Sequence, residues 1–259
     1  NNILVAHIEG GEISGTVDEL IRHSVSKLSH IHFVSNTAAE NRLIQMGEIP
    51  ESIFTIGSPD VDIMFSNNLP TIEEVKNYYE IPFDGYAVAM FHPVTTEAKY
   101  MDEYANNFVN SLLKSNKNYV VIYPNNDLGS KYIIKAYDKL INNNRFKIHT
   151  SIRFEYFLVL LKKAQFIIGN SSAGIREAPY YGIPTINIGT RQENRALHSH
   201  IINTSYNSTE ISDTINSNLE RVIVKTESFG IGNSATQFLK SLNSEKLWNL
   251  NHQKQFKDI

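Results

Sequence analysis

Short apolar runs alternate along the chain with stretches whose apolar residues fall three and four positions apart. No other feature restricts the fold as much. Runs this short, rich in Val, Ile and Tyr, read as buried strands, and the stretches between them read as amphipathic helices. The pattern predicts strands over residues 3–8, 32–35, 53–56, 86–91, 119–123, 146–149, 165–169 and 185–188. It predicts helices over residues 17–28, 37–46, 97–113, 130–141, 154–164, 172–181, 209–222 and 235–242. In the first helix Val17, Leu20, Ile21, Val25 and Leu28 share one face, and Thr16 with Glu19 spells a capping box. Strands joined through helices of this length form βαβ units and parallel sheets. The expected fold class is therefore α/β.

A polar seam, "FSNNLPTIEEVKNYYEIPFDGY", interrupts the pattern with Pro70 and Pro82, and Thr71 with Glu74 spells a second capping box there. The expected architecture is two α/β halves around a cleft. The division falls at residues 1–68, 69–234 and 235–259, the last a helix and tail returning to the first half. Ligands of open parallel sheets gather beyond the carboxyl ends of the strands.

Composition narrows the function classes. A chain of 259 residues with 41% apolar and 20% charged residues can bury a sizeable core and is not disordered. A net charge of -3 points to no nucleic-acid or acidic-membrane partner. No apolar run approaches the ~20 residues that span a bilayer, and no signal peptide is expected before the first strand. With no cysteine, there is neither a disulfide nor a thiolate nucleophile, and a reducing, cytoplasmic location is expected. The histidines lack H-E-x-x-H or comparable spacing, so no metal site is expected. The opening "NNILVAHIEGG" enters an apolar run at once, and the expectation is that the first domain lacks a preceding segment.

Four stretches end strands and carry polar chemistry. In "IIGNSSAGIREAPYYGIPTINIG" a strand runs into Asn170, Ser171 and Ser172 before a helix beginning near Ala173 or Gly174. Unpaired N–H groups there suit a phosphate, and Glu177 further in could meet ribose hydroxyls; an ordinary Asn/Ser cap explains the same letters. In "FHPVTTE" His92 could bind a diphosphate or protonate a departing one, or simply precede a turn. In "YPNNDLGSKY" Asn125 could fix a nucleotide, or serve an Asx turn with Gly129. In "NIGTRQENR" the planar fork of Arg191 could reach a phosphate, or face solvent. Each is weak alone, but a single cleft would collect all four.

The amino-terminal "HIEGGEISGTVDELIRH" adds a crowd of acids. Asp18 and Arg22 are spaced for helical surface pairing. Glu9 stands at a strand end before Gly10 and Gly11, where backbone can approach a ligand.

"HIEGGEISGTVDELIRH" and "FHPVTTE", with "YPNNDLGSK", "GNSSAGIREAPYYGIPTINIGTRQ" and "GIGNSA", resemble the UDP-N-acetylglucosamine 2-epimerase family. The likeness covers nearly the whole chain, in order, and is closest to the hydrolysing branch that makes N-acetylmannosamine for sialic acid synthesis. It implies two Rossmann-like domains of the glycosyltransferase-B type with a UDP-sugar in the cleft, no cofactor, and a homo-oligomer, a dimer or tetramer. It implies Glu9 and Asp18 as active-site acids, Glu19 beside the substrate and His92 as a catalytic group at the diphosphate. It places Asn125, Ser171, Ser172, Glu177 and Arg191 on the nucleotide, and the Ile152 backbone at the base.

The non-hydrolysing branch has H-R-R-E-N where this chain has His92-Pro93-Val94-Thr95-Thr96, and D-S-G-G where it has Asn170-Ser171-Ser172-Ala173-Gly174. Both departures favour hydrolysis with release of free sugar. Further alternatives are a 2-epimerase of a diacetamido-trideoxy sugar nucleotide, a glycosyltransferase of the same fold, and a nucleotide-sugar-binding fragment without catalysis.

Overall fold

The computed structural model describes residues 3–14, 17–192, 201–217, 219, 226 and 228–258. The chain divides into two compact units, Asn1–Asn67 with Thr226–Ile259, and Asn68–Lys225. Among the described residues no helix is long and apolar enough to cross a membrane.

The first unit is built on a three-stranded parallel sheet, β1 (Ala6–Ile8), β2 (Ile31–Val34) and β3 (Ile53–Thr55), in that order. Between the strands run α1 (Val17–Leu28) and α2 (Thr37–Gln45), and α3 (Pro59–Met64) follows β3. The Asn36 side chain accepts the Ala39 N–H and so caps α2. Phe33, on the central strand, stacks edge-on against Phe238 at 4.7 Å. Phe238 belongs to α10 (Ser234–Leu242), which with α11 (Glu245–Trp248) covers one sheet face through Leu242 and the buried Leu247. The return to this unit begins before that helix: Asn36 Nδ2 donates to Ser228 O and Ser58 N to Phe229 O. A strand-level reading of the sequence has no signal for so irregular a stretch.

Helix α1 turns the opposite way from its pattern. Leu20 and Leu28 are 69% and 76% exposed, with Ile21 and Val25 also exposed. The inward side is polar. Arg22 donates to Glu12 O, Ser26 Oγ meets His7 Nδ1, and Lys27 reaches Met46 O. These bonds satisfy buried carbonyls and fix the helix by its polar stripe. The capping box expected at Thr16 lies outside the described residues.

The second unit holds six parallel strands in the order β6-β5-β4-β7-β8-β9. They are β4 (Ala87–Met90), β5 (Tyr119–Ile122), β6 (Phe146–His149), β7 (Ile167–Gly169), β8 (Thr185–Ile188) and β9 (Ile201–Thr204). Strands β5, β7 and β8 are buried at every residue, as expected where helices cover both faces of a sheet. The helices are α4 (Ile72–Tyr78), α5 (Met101–Lys114), α6 (Ser130–Tyr137), α7 (Phe154–Lys163), α8 (Ala173–Arg176) and α9 (Ser208–Asn216). Phe108 and Leu112 of α5 are fully buried against β4 and β5 residues, each worth about 1.5–3 kcal/mol on transfer from water. The predicted capping box of Thr71 and Glu74 forms at α4.

Strand order reverses at β4. The chain winds outward through β5 and β6, returns to β7 on the other side of β4, and winds outward again. The edge strand β9 was not expected from its short, half-polar run "IINT". The single helix expected over 172–181 stops at Arg176 and gives way to a 3-10 turn, Ala178–Tyr181, because Pro179 has no N–H to continue the ladder.

Candidate functional site

The reversal of strand order places the ends of β4 and β7 side by side, where open α/β sheets bind ligands. His92 leaves β4 and Asn170 leaves β7. The fully buried Asn170 side chain accepts the His92 N–H at 2.6 Å through Oδ1 and donates from Nδ2 to His92 O at 2.8 Å. One amide thus satisfies both backbone groups of the histidine. The turn into Asn170 requires Gly169, whose φ is +131° and whose absent Cβ would lie 1.9 Å from Met90 O.

The His92 ring is held as well. The backbone N–H of Asn125, beyond β5, donates to Nδ1 at 3.2 Å, so that nitrogen is an acceptor and Nε2 carries the proton. Burial, and then the Arg191 charge, pull the His92 pKa down to about 4. At neutral pH His92 is therefore an uncharged N–H donor, suited to hydrogen-bonding a phosphate oxygen more than to carrying a full proton.

Arg191 lies beyond β8. Its Nη1 donates to Asn170 O at 3.2 Å, and Gln192 Nε2 donates to the same carbonyl at 2.8 Å. The loop before it is braced by Glu97, which accepts from Thr190 Oγ1 at 2.6 Å and Tyr206 OH at 2.7 Å. Four strand ends thus converge, bringing together His92, Asn125, Arg191 and the turn carrying Ser171 and Ser172.

The serines are half-buried; Ser171 Oγ accepts the Ala173 N–H at 3.3 Å, and Ser172 O accepts from Ile175 and Arg176. Glu177 is 7% exposed at the end of α8, where its charge raises the pKa of the buried Tyr181 beyond the effect of burial itself. Ile152 is half-buried in the loop after β6, next to Arg153, whose N–H donates to Tyr79 OH at 3.0 Å.

In the first unit Glu9 ends β1 with φ +61°, a left-handed backbone that a glutamate rarely adopts. Its N–H donates to Phe33 O at 2.8 Å, and its Oε1 accepts from Ser58 Oγ at 2.5 Å. Gly11 behind it, at φ +75°, lies so close to Ala39 O that a Cβ would approach to 2.3 Å. Not every neighbouring acid is available for chemistry. Glu12 is buried and accepts from Ser35 Oγ and Asn36 Nδ2, which makes it a structural anchor. Glu19 accepts the Ser14 N–H at 2.9 Å and faces His23 at 3.7 Å. Asp18 is exposed in the first turn of α1.

Asn170 and Ser58 are the residues the sequence did not single out. Asn170 stood beside the two serines in the same motif. For Ser58 the sequence offers no signal, because its partner lies 49 residues away.

A family model described as UDP-N-acetylglucosamine 2-epimerase matches residues 1–243. The UDP-N-acetylglucosamine 2-epimerase of Neisseria meningitidis serogroup B is 50% identical over 260 residues, covering 99% of this chain and 69% of that protein. The UDP-N,N'-diacetylbacillosamine 2-epimerase (hydrolyzing) of Legionella pneumophila is 34% identical over 202 residues, 78% of this chain and 54% of that protein. Among solved structures, the Methanocaldococcus jannaschii UDP-GlcNAc 2-epimerase in complex with UDP-GlcNAc and UDP matches with a TM-score of 0.76 at 22% identity. That match covers 93% of this chain and 69% of the other, and it speaks for the fold. The chain thus spans little more than half of the Legionella relative.

Proposed function

The chain belongs to the UDP-N-acetylglucosamine 2-epimerase family, and from that premise we propose that it is the hydrolysing kind, converting UDP-N-acetylglucosamine to N-acetylmannosamine and UDP. The observation that carries the reading is the convergence of His92, Asn170 and Arg191 where the β4 and β7 ends meet. A neutral Nε2–H, a guanidinium and a serine-bearing turn together suit a diphosphate.

The chemistry asks for several acids. The C2 hydrogen of the sugar is not beside a carbonyl, so direct abstraction is unfavourable. When the bond from C1 to the UDP oxygen breaks, UDP leaves with the electron pair and positive charge develops at C1. The C2 hydrogen then becomes acidic, and a carboxylate removes it to give a glycal. Water adds its oxygen to C1, and an acid returns a proton to C2 from the opposite face, leaving the manno configuration. General acid–base catalysis of this kind contributes roughly 10²–10⁴ in rate.

In this reading Glu9 and Asp18 transfer protons, and Glu19 lies beside the sugar. His92, Ser171, Ser172 and Arg191 hold the diphosphate that departs. Asn125, Glu177 and the Ile152 backbone take the nucleoside. The strained backbone at Glu9 supports its place, since such strain concentrates at functional positions. The Pro93-Val94-Thr95 run and Asn170 in place of the other branch's residues support release of free sugar. A free N-acetylmannosamine product fits sialic acid synthesis.

The Legionella relative favours a second reading in which the sugar is a diacetamido-trideoxy one. Incubation with UDP-GlcNAc in deuterated water separates the outcomes. UDP release with deuterium at C2 of free N-acetylmannosamine is expected. Deuterated UDP-N-acetylmannosamine would make the enzyme non-hydrolysing, and turnover of the diacetamido sugar nucleotide alone would favour the second reading.

A further inference from the structure

Arg191 stands on a loop whose course the backbone leaves open. Gly189, the residue after β8, has φ +70°, and from there side chains fix the path. Arg191 and Gln192 anchor on Asn170 O, while Thr190 Oγ1 donates to Glu97 Oε1 at 2.6 Å. Glu97 comes from the other side of the cluster, in the 3-10 turn Thr95–Tyr100 that continues the segment leaving His92. One carboxylate therefore ties the His92 segment to the Arg191 segment across 93 residues. Its second oxygen accepts from Tyr206 OH at 2.7 Å. The Tyr206 ring lies flat on Tyr104 of α5, centroids 3.6 Å apart, and takes the space of a Gly189 Cβ, which would come within 2.1 Å of it. Burial, and then the bond to Glu97, raise the Tyr206 pKa, so the hydroxyl keeps its proton to donate.

We propose that Glu97 is a positioning residue for Arg191: through Thr190 it fixes the loop that aims the guanidinium, and it thereby governs affinity for a diphosphate and not for a nucleoside. The proposal rests on the reading of the His92 and Arg191 cluster as a diphosphate site. Hydroxyl-to-carboxylate bonds of this length are charge-assisted and among the stronger ones a side chain makes. Losing one would let the Thr190–Gln192 run sample other courses, and Arg191 would then incur an ordering cost on meeting the anion. The residues read as nucleoside contacts, Asn125, Glu177 and Ile152, stand on other segments, after β5, at the end of α8 and after β6. A defect confined to the Arg191 loop should therefore separate the two halves of the ligand, which a general loss of packing does not.

The test is binding of UDP and of uridine to the full chain by NMR titration, for the wild type, Thr190→Val, Thr190→Ser, Glu97→Ala and the double variant E97A/T190V. T190V deletes the hydroxyl at nearly constant volume and is expected to weaken UDP about tenfold, while uridine stays within about twofold of wild type. E97A should do the same. The double variant should be no more than about twofold weaker than the worse single one, because both changes delete the same bond. T190S keeps the hydroxyl and should bind UDP within about twofold of wild type.

Amide hydrogen exchange over residues 187–192, measured without ligand, gives an independent reading. It should quicken at least about fivefold in T190V and return to the wild-type rate in T190S. UDP affinity of T190V within about twofold of wild type, or equal losses for UDP and uridine, would overturn the proposal. Should E97A fail to fold, T190V and T190S decide the case alone. A wild type that does not bind UDP would remove the diphosphate reading instead. Exchange would then still judge Glu97, as it would where uridine binds too weakly to compare: a faster rate in T190V upholds its control of the loop, and an unchanged rate sinks it.

Discussion

Ser58 donates its hydroxyl to Glu9 Oε1 at 2.5 Å while the Glu9 backbone is held at φ +61°. The bond aims the carboxylate, and the strain marks a position where side-chain identity outweighs backbone comfort. Glu9→Gly and Glu9→Ala both lose the bond, so the difference between them isolates the backbone. Glycine should be the more stable of the two by about 1 kcal/mol in urea denaturation, since a left-handed conformation costs an L-residue roughly that much. Both should lose deuterium incorporation into product. An alanine variant as stable as the glycine one would remove strain from the account of Glu9.

His92 should leave a signature on the acid side. Its folded pKa lies near 4, lowered by burial and then by Arg191, whereas an unfolded histidine titrates near 6.5. Between those values the unfolded chain binds the extra proton. The neutral imidazole's contribution is thus full above about pH 6.5 and is lost as pH falls toward 4, by at most about 3 kcal/mol. His92→Gln cannot titrate. The stability gap between wild type and H92Q should narrow steadily from pH 7 to pH 4.5 in matched denaturation curves. A gap independent of pH would show that His92 is not held neutral.

The alternation of apolar runs was enough to locate both parallel sheets, because fully buried strands such as "YVVI" and "TINI" leave little ambiguity. The loop residues were legible for a related reason: His92, Asn125, Ser171 and Arg191 each follow directly on such a strand. What the sequence hid was pairing at long range. The amide of Asn170 reaches His92 across 78 residues and Ser58 reaches Glu9 across 49, and neither spacing has a local pattern. Helix α1 misled because periodicity reports an apolar face but not which way it turns. Its buried side was decided by hydrogen bonds from Arg22, Ser26 and Lys27.

Gly169 sets the whole cluster. At φ +131°, with the Met90 carbonyl 1.9 Å from where a Cβ would sit, an alanine meets both backbone strain and a backbone clash that no side-chain movement relieves. Gly169→Ala should cost more than about 3 kcal/mol and abolish UDP binding by displacing Asn170. Gly85→Ala is the control, since its Cβ would meet only the Gln165 amide, at 3.1 Å, and no positive φ is involved. Equal stability of the two variants would mean that the β4 and β7 ends can part without consequence.

Glu48 is 2% exposed, and its carboxylate accepts from Lys27 at 2.7 Å, His32 at 2.9 Å and Lys254 at 2.5 Å. Burial disfavours its charge, but hydrogen bonds from His32, Lys254 and Lys27 prevail and hold the pKa at about 2. Lys254 also donates to Ser26 O and Ser29 O, and Lys257 N–H to Gly47 O, so the carboxyl-terminal tail is strapped to the end of α1. The Glu48 contribution is therefore full above about pH 4.5 and is lost as pH falls toward 2. Glu48→Gln should destabilise by about 2–4 kcal/mol at pH 7, because two ammonium groups lose their counter-charge, and the penalty should shrink near pH 3. Lys254→Met leaves the Ser26 and Ser29 carbonyls short of a donor and should expose residues 251–258 to trypsin at Lys257 while the rest of the chain resists. A tail equally protected in the methionine variant would mean that the Phe256 ring, packed where a Gly47 Cβ would otherwise sit, holds it without the ion cluster.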